Sequence, residues 1–171
     1  MIETLSRAFL HLESQKSLLL SKLAAMPDSA LQHKPTAAEW SALEIADHLV
    51  RTESGIVAAA IEFLPQRVPV PASDRIRGRM IEWLFRTPAK VKVPPTVSEV
   101  LPGHGISLEA VAARWTETRL LLRETLESAT PESCRLGAFR HPVAGWMDLS
   151  QTLRFFSVHI IHHQYQLRRF R

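Results

Sequence analysis

The residues with the most evident chemistry are histidines near the C-terminus. Three of the eight histidines in this 171-residue chain lie within five positions, at His159, His162 and His163. Residues four apart on a helix lie one turn apart on the same face, so His159 and His163 can reach one ion. Two imidazoles at that spacing form half of a site for Zn²⁺, Ni²⁺, Fe²⁺ or Cu²⁺. On a helical wheel His162 points about 60° away from His159, toward the edge of that face.

A half-site binds a metal weakly, so a third ligand from another helix is needed. His48 is the best candidate, because it lies beside the apolar stripe of a helix that a bundle would place near His159 and His163. The alternative is that all three are hydrogen-bonded core residues, as most histidines on an apolar helix face are. Spacing alone leaves both interpretations open. No glutamate stands in an HExxH arrangement, so a zinc-protease site is disfavoured.

Four long segments have the apolar periodicity of amphipathic helices. The first spans about 2–25, the second about 36–64, the third begins after Ser107 and the fourth after Asp148. The pattern Thr36-x-x-Glu39 predicts a capping box at the start of the second helix, Ser107 is expected to cap the third, and Asp148-x-x-Gln151 is expected to cap the fourth. The sequence predicts an all-α four-helix bundle with no strands, formed by a single domain over 1–171.

A long connection over about 65–106 separates the second and third helices. It contains one expected helical piece around 73–85 and is punctuated by Pro65, Pro69, Pro71, Pro88, Pro94, Pro95 and Pro102. Such a connection is unusual in a compact domain and indicates a functional loop or a crossover that lets helices two and three run parallel. We expect it to shape the mouth of a pocket.

Composition excludes several classes of protein. Hydrophobic residues make up 46% and charged residues 22%, as in ordinary globular proteins, and the net charge of +4 is not gathered into a basic stripe, so a nucleic-acid partner is not expected. No apolar run reaches the ~18 residues of a membrane span, so no membrane association is expected. The single cysteine, Cys134, suits a reducing cytoplasm and lies in a segment without a nucleophile signature.

Two segments resemble the signatures of the DinB-like superfamily, also called YfiT-like. Segment 40–49, Trp-Ser-Ala-Leu-Glu-Ile-Ala-Asp-His-Leu, is similar to the second helix of that family, and segment 158–167, which carries the paired histidines, to its last helix. The segment 141–146 before the last helix also matches, so the resemblance covers nearly the whole chain. It implies an up-down-down-up bundle in which His48, His159 and His163 bind one divalent metal, with water completing the coordination.

The resemblance also implies an activity. Members of the family include thiol-dependent transferases and an isomerase, so we expect a metal-dependent hydrolase or thiol transferase that activates water or a low-molecular-weight thiol. Zn²⁺ and Ni²⁺ are the expected metals. Glu44, one turn before His48, could orient the His48 ring or act as a base. Arg51 and Arg140 are candidates for binding an anionic small-molecule substrate.

Two alternatives to this interpretation and one expectation about assembly remain. The same histidines could hold a metal in a non-catalytic metal- or ligand-binding bundle, which a closed site with four protein ligands would favour. A role on DNA, suggested by the family name, ranks last because a basic stripe is missing. Homodimerisation through an apolar helix face is expected of a helical bundle, but the sequence identifies no particular face.

Overall fold

The computed structural model describes residues 1–89, 91, 93–103 and 105–170, and most of them are helical. The α-helices are α1 (Glu3–Ala24), α2 (Asp28–Gln32), α3 (Ala42–Phe63), α4 (Ala72–Phe85), α5 (Leu108–Glu127) and α6 (Leu149–Leu167). Two short strands, β1 (Gly137–His141) and β2 (Gly145–Asp148), precede α6, and a 3₁₀ segment (Pro95–Val100) lies between α4 and α5. The predominantly helical structure confirms the prediction of a mainly helical fold class.

The four long helices are those that periodicity predicts. Helix α1 packs against α5 and α6, and α3 packs against the same two helices. Their shared interior is apolar, because each helix turns one stripe of large side chains inward. Side chains buried almost completely in this core include Leu12, Leu49, Trp115, Leu122 and Phe156.

Two of the three predicted helix caps are confirmed. The Ser107 side chain accepts a hydrogen bond from the Ala110 amide, and Asp148 and Gln151 form a reciprocal capping box. The predicted start of the second long helix is wrong. Residues 36–39 form only a turn, and α3 begins five residues later with a capping box between Ser41 and Glu44.

A β-hairpin before α6 corrects the expectation of a fold without strands. Strands β1 and β2 pair antiparallel, with Phe139 opposite Met147 and Arg140 opposite Trp146. Phe139 and Met147 face the core while Arg140 is exposed, but buried and exposed residues do not alternate along either strand, so the sequence shows no strand pattern here. The hairpin turn needs Gly145, whose φ of 78° is in the left-handed region.

The long connection contains the predicted short helix, now bounded as α4. Helix α4 packs against α6 and β2, and the 3₁₀ segment that follows packs against α3. Asp74 on α4 accepts a hydrogen bond from the Trp146 amide, and Arg75 pairs with Asp148, so α4 fixes both ends of β2. In the described part of the chain, no helix is long and apolar enough to cross a membrane.

Candidate metal centre

Helices α3 and α6 bring the three predicted histidines together. His48 comes from α3, while His159 and His163 lie one turn apart on α6. The Nε2 atom of His159 lies 3.2 Å from Nε2 of His48 and 3.0 Å from Nε2 of His163. Each of the three side chains is about 4% exposed, and their potential ligand atoms all lie within 4.8 Å of one another. The cluster therefore presents three imidazole nitrogens to one point.

Hydrogen bonds on the outer side fix the orientation of two of these rings. His48 Nδ1 lies 2.7 Å from the Val100 backbone oxygen, and His163 Nδ1 lies 3.0 Å from Oε1 of Gln166. Because both oxygens can only accept, the hydrogen of each imidazole is on Nδ1 and the lone pair is on Nε2. Both inward-facing nitrogens are thus in the form that binds a metal, with the outer partners that metal-binding histidines usually have.

The hydrogen-bonding environment of the third ring, that of His159, also favours a cation at the centre of the cluster. The buried Nδ1 atom of His159 has no hydrogen-bond partner in the described structure, whichever ring nitrogen carries the hydrogen. If the hydrogen is on Nδ1, three nitrogen lone pairs face one another at hydrogen-bonding distance. A cation between the three nitrogens would remove the repulsion between these lone pairs, while Nδ1 of His159 would still have no partner among the described residues. Tetrahedral Zn²⁺ with bonds of 2.0–2.1 Å places its ligand nitrogens about 3.3 Å apart, close to the observed spacings.

Burial keeps these histidines neutral. It lowers the pKa of His48 to about 4, against opposing contributions from the Val100 carbonyl and Asp47. Burial, together with the neighbouring histidines, also holds the pKa values of His159 and His163 well below the ordinary value. Neutral imidazole is the form that coordinates a metal, so the cluster is ready to bind near pH 7 without first losing protons.

Aromatic rings enclose the cluster. Trp40, just before α3, lies with its ring centroid 4.7 Å from that of His48 and 6.3 Å from that of His163. On the other side Phe155 stacks on His159 with centroids 5.4 Å apart. These rings exclude water and lower the local dielectric, which strengthens electrostatic interactions inside the cluster.

The remaining histidine of α6 has a different role. His162 is buried, but its Nδ1 lies 3.3 Å from the Thr87 backbone oxygen and its ring packs against Phe85. It is not part of the three-residue cluster, in agreement with its expected position at the edge of the helix face. The contact with Thr87 joins α6 to the second residue after the end of α4.

Asp47 is a supporting residue that sequence reasoning missed. Its Oδ2 atom accepts hydrogen bonds from Arg51 Nε at 2.6 Å and from the Gly103 amide at 2.8 Å. The adjacent His48 contacts Val100, so two neighbouring residues of α3 hold the segment 95–103 in place. Arg51, a candidate for substrate binding, instead forms an ion pair with Asp47.

The Glu44 carboxylate is engaged at the start of α3. One oxygen accepts from the Ser41 amide at 2.9 Å and the other pairs with Lys34 at 2.7 Å. Burial opposes ionisation of Glu44, but these hydrogen bonds and the Lys34 charge outweigh it and lower the pKa. These contacts give Glu44 a capping function, and its expected role as a base stays a prediction.

Cys134 lies in a 3₁₀ turn (Ser133–Arg135) and is not part of the three-histidine cluster. Burial and the nearby carboxylates of Asp148 and Glu132 raise the pKa of its thiol. Raising the pKa favours the thiol over the nucleophilic thiolate, so this environment does not activate the cysteine.

Fold and site together define a helical protein with a buried three-histidine cluster suited to a divalent metal. The model of the DinB superfamily matches residues 11–167, which confirms the resemblance found in the sequence, and the chain belongs to that superfamily. No curated protein and no solved structure shows significant similarity to the chain.

Proposed function

We propose that this protein is a metal-dependent enzyme in which His48, His159 and His163 hold one divalent cation, Zn²⁺ or Ni²⁺. The observation that carries the proposal is the convergence of three Nε2 atoms, two of them with lone pairs fixed by outer hydrogen bonds. A bound divalent cation supplies Lewis acidity, which lowers the pKa of a coordinated water or thiol to near neutrality. The proposed reaction is either hydrolysis by an activated water or transfer of an activated low-molecular-weight thiol to a substrate.

The protein contributes fixed geometry and a dry environment. Val100 and Gln166 hold two imidazoles in the required tautomer, while Trp40 and Phe155 restrict access of water to the rings. The cluster contains three protein ligands among the described residues, and the nearby carboxylates of Asp47 and Glu44 are paired with cations. Three ligands leave coordination positions for a substrate, as catalytic sites require.

The remaining parts of the proposal concern architecture and partners. We propose one up-down-down-up four-helix domain, supported by the packing of α1 and α3 against the same pair of helices. The proposed partners are a small-molecule substrate, a thiol among them, and a second copy of the chain, with no nucleic acid. The proposed location is the cytoplasm, which suits a lone free cysteine.

A non-catalytic metal site is the second candidate function. The observation that favours it is burial, since each of the three histidines is only about 4% exposed. In that case the cation would stabilise the fold by linking α3 to α6. The two functions differ in whether an exogenous ligand can reach the cation, which can be measured directly.

The first experiment measures metal content by elemental mass spectrometry in protein purified without a histidine tag. We expect about one equivalent of metal in the wild type, and its loss in His159→Ala with helical content retained. His162→Ala is the matched control, because His162 is a buried histidine of the same helix outside the cluster. A wild-type protein that cannot be loaded with zinc or nickel would overturn the proposal.

The second experiment separates catalysis from structure. Addition of a low-molecular-weight thiol to cobalt-loaded protein should produce a new near-ultraviolet charge-transfer band if a coordination position is open. An unchanged spectrum at saturating thiol would favour the non-catalytic site.

A further inference from the structure

A cleft of about 710 Å³ lies beside the β-hairpin, outside the histidine cluster. One wall is the hairpin, with Arg140, His141 and Gly145, and the opposite wall is the 3₁₀ segment, with Thr96. Arg77 of α4 also lines it, and no carboxylate is among its described lining residues. The cleft therefore presents cations and hydrogen-bonding groups without an acidic side chain of its own.

The two arginines of the cleft differ in their pairing. Arg77 donates to Asp74, and the same carboxylate also accepts the Trp146 amide at 2.7 Å. Arg140 is exposed and has no ion-pair partner in the described part of the chain. Its guanidinium is thus a free positive charge at the cleft, and a guanidinium binds an oxyanion through two parallel hydrogen bonds.

Backbone contacts set the tautomer of His141. Its Nδ1 atom accepts hydrogen bonds from the Val143 and Ala144 amides, both at 3.1 Å. A nitrogen that accepts cannot carry the hydrogen, so the neutral ring carries it on Nε2 and is a fixed donor. Burial lowers the pKa of His141 to about 4, which keeps the ring in this neutral form near pH 7.

Two ring contacts connect the cleft with the metal cluster. The His141 ring centroid lies 5.1 Å from that of Phe155, and Phe155 in turn stacks on His159 at 5.4 Å. The wall opposite His141 belongs to the segment whose Val100 oxygen contacts His48. His141 is therefore separated from His159 by one residue, Phe155, and the 3₁₀ segment that lines the cleft also contains the residue that contacts His48.

We propose that this cleft binds an oxyanion group, a carboxylate or a phosphate, of the small-molecule substrate. Arg140 is the ion-pair partner and the His141 Nε2–H group is a hydrogen-bond donor. The proposal rests on the proposed function only in calling the bound molecule a substrate, since none of the three cluster histidines is among the described residues that line the cleft. Anion binding itself can be tested without turnover.

Titration by two-dimensional ¹H–¹⁵N NMR of the protein as purified tests the proposal. Succinate and inorganic phosphate are the probes for the two oxyanion sources, and succinamide is the neutral counterpart of succinate. We expect saturable shifts of hairpin amides and side-chain signals with at least one anion and none with succinamide. The anion that gives the tighter binding identifies the group that the cleft prefers.

Variants locate the binding. Arg140→Gln should weaken binding at least tenfold, whereas Arg114→Gln, which removes the same charge from an exposed arginine of α5 that does not line the cleft, should change it less than twofold. His159→Ala should retain anion binding, which separates this proposal from the fate of the metal site. Absence of saturable binding by both anions, or equal affinity in Arg140→Gln and wild type, would overturn the assignment even if metal binding is established.

Discussion

The Nδ1 atom of His48 donates a hydrogen bond of 2.7 Å to the backbone oxygen of Val100, 52 residues further along the chain. This contact makes the long connection between α3 and α5 part of the candidate metal centre. One residue earlier, Asp47 accepts from the Gly103 amide, so the connection is held at two points on adjacent residues of α3. The segment 95–103 thus supports the cluster and also forms a wall of the cleft.

Asp47→Ala should weaken zinc binding severalfold, less than the roughly tenfold loss expected when a direct partner of a metal ligand is removed, because Asp47 acts on His48 only through the segment that contains Gly103 and Val100. The substitution removes the acceptor for Gly103 and leaves Val100 less firmly placed against His48. Competition with a chromogenic chelator measures the affinity. Asp28→Ala removes the same charge from an exposed position at the start of α2 and should have no effect. Equal zinc affinities in both variants would mean that the segment does not support the site.

Arg119→Met should lower the free energy of unfolding by about 3–5 kcal/mol, because it leaves a buried carboxylate without its cation. Arg119 on α5 donates to both oxygens of Glu53 on α3, each at 2.8 Å, and both residues are almost fully buried. Adding Glu53→Gln should restore much of the loss, since a neutral amide still accepts from Trp115. Urea unfolding of the single and double variants measures the coupling, and additive losses would contradict the paired role.

Gly145→Ala should destabilise the protein by about 1–3 kcal/mol. The residue has a φ of 78°, and a Cβ atom there would lie 2.3 Å from the Asp74 carboxylate that holds the Trp146 amide. Gly55→Ala is the matched control, because Gly55 lies inside α3 with open space around it. Alanine should raise stability there by about 0.5–1 kcal/mol. Thermal unfolding measures both, and a neutral Gly145→Ala would show that the turn tolerates a side chain.

The His141 pKa predicts a pH dependence of stability. Its folded-state pKa of about 4 is below the ordinary value of 6.5, so between these values the unfolded chain binds more protons than the folded protein. Titration of His141 therefore leaves the free energy of unfolding unchanged above about pH 6.5. As the pH falls from there toward 4, the free energy of unfolding decreases by up to about 1.4 kcal/mol per pH unit. His141→Asn keeps an acceptor for the turn amides but does not titrate. Urea unfolding from pH 7.5 to 5 should show a smaller decrease in the free energy of unfolding for that variant than for the wild type. Equal decreases in the two proteins would show that the pKa of His141 is not lowered in the folded state.

Local patterns were sufficient for most of the helical structure. Periodicity located the long helices, and the Asp148–Gln151 capping box was recognisable because both of its partners are within four residues. The same logic failed at Thr36, where a second pattern of the same type, Ser41-x-x-Glu44, follows five residues later. The choice between them is tertiary, since Trp40 packs against His48 and His163 and fixes where the helix can begin.

The cluster itself was only partly readable from the sequence. His159 and His163 are one helical turn apart, so their joint position follows from spacing. Asp47, Val100 and Gly103 act across more than fifty residues, and backbone groups leave no signal in a sequence. The sequence also does not predict the ion pair of Glu53 and Arg119, because charged side chains on a helix are normally solvated and the two residues lie on different helices.

The separation of His48 and His159 along the chain has a consequence for the stability of the fold. The two residues are 111 positions apart, and a ligand held by both closes a loop that contains most of the protein. Because a cation would bind the folded arrangement of these residues and not the unfolded chain, it would stabilise the fold by an amount that grows with the metal concentration relative to the dissociation constant. Metal binding at His48, His159 and His163 would therefore make the stability of the fold depend reversibly on the supply of metal.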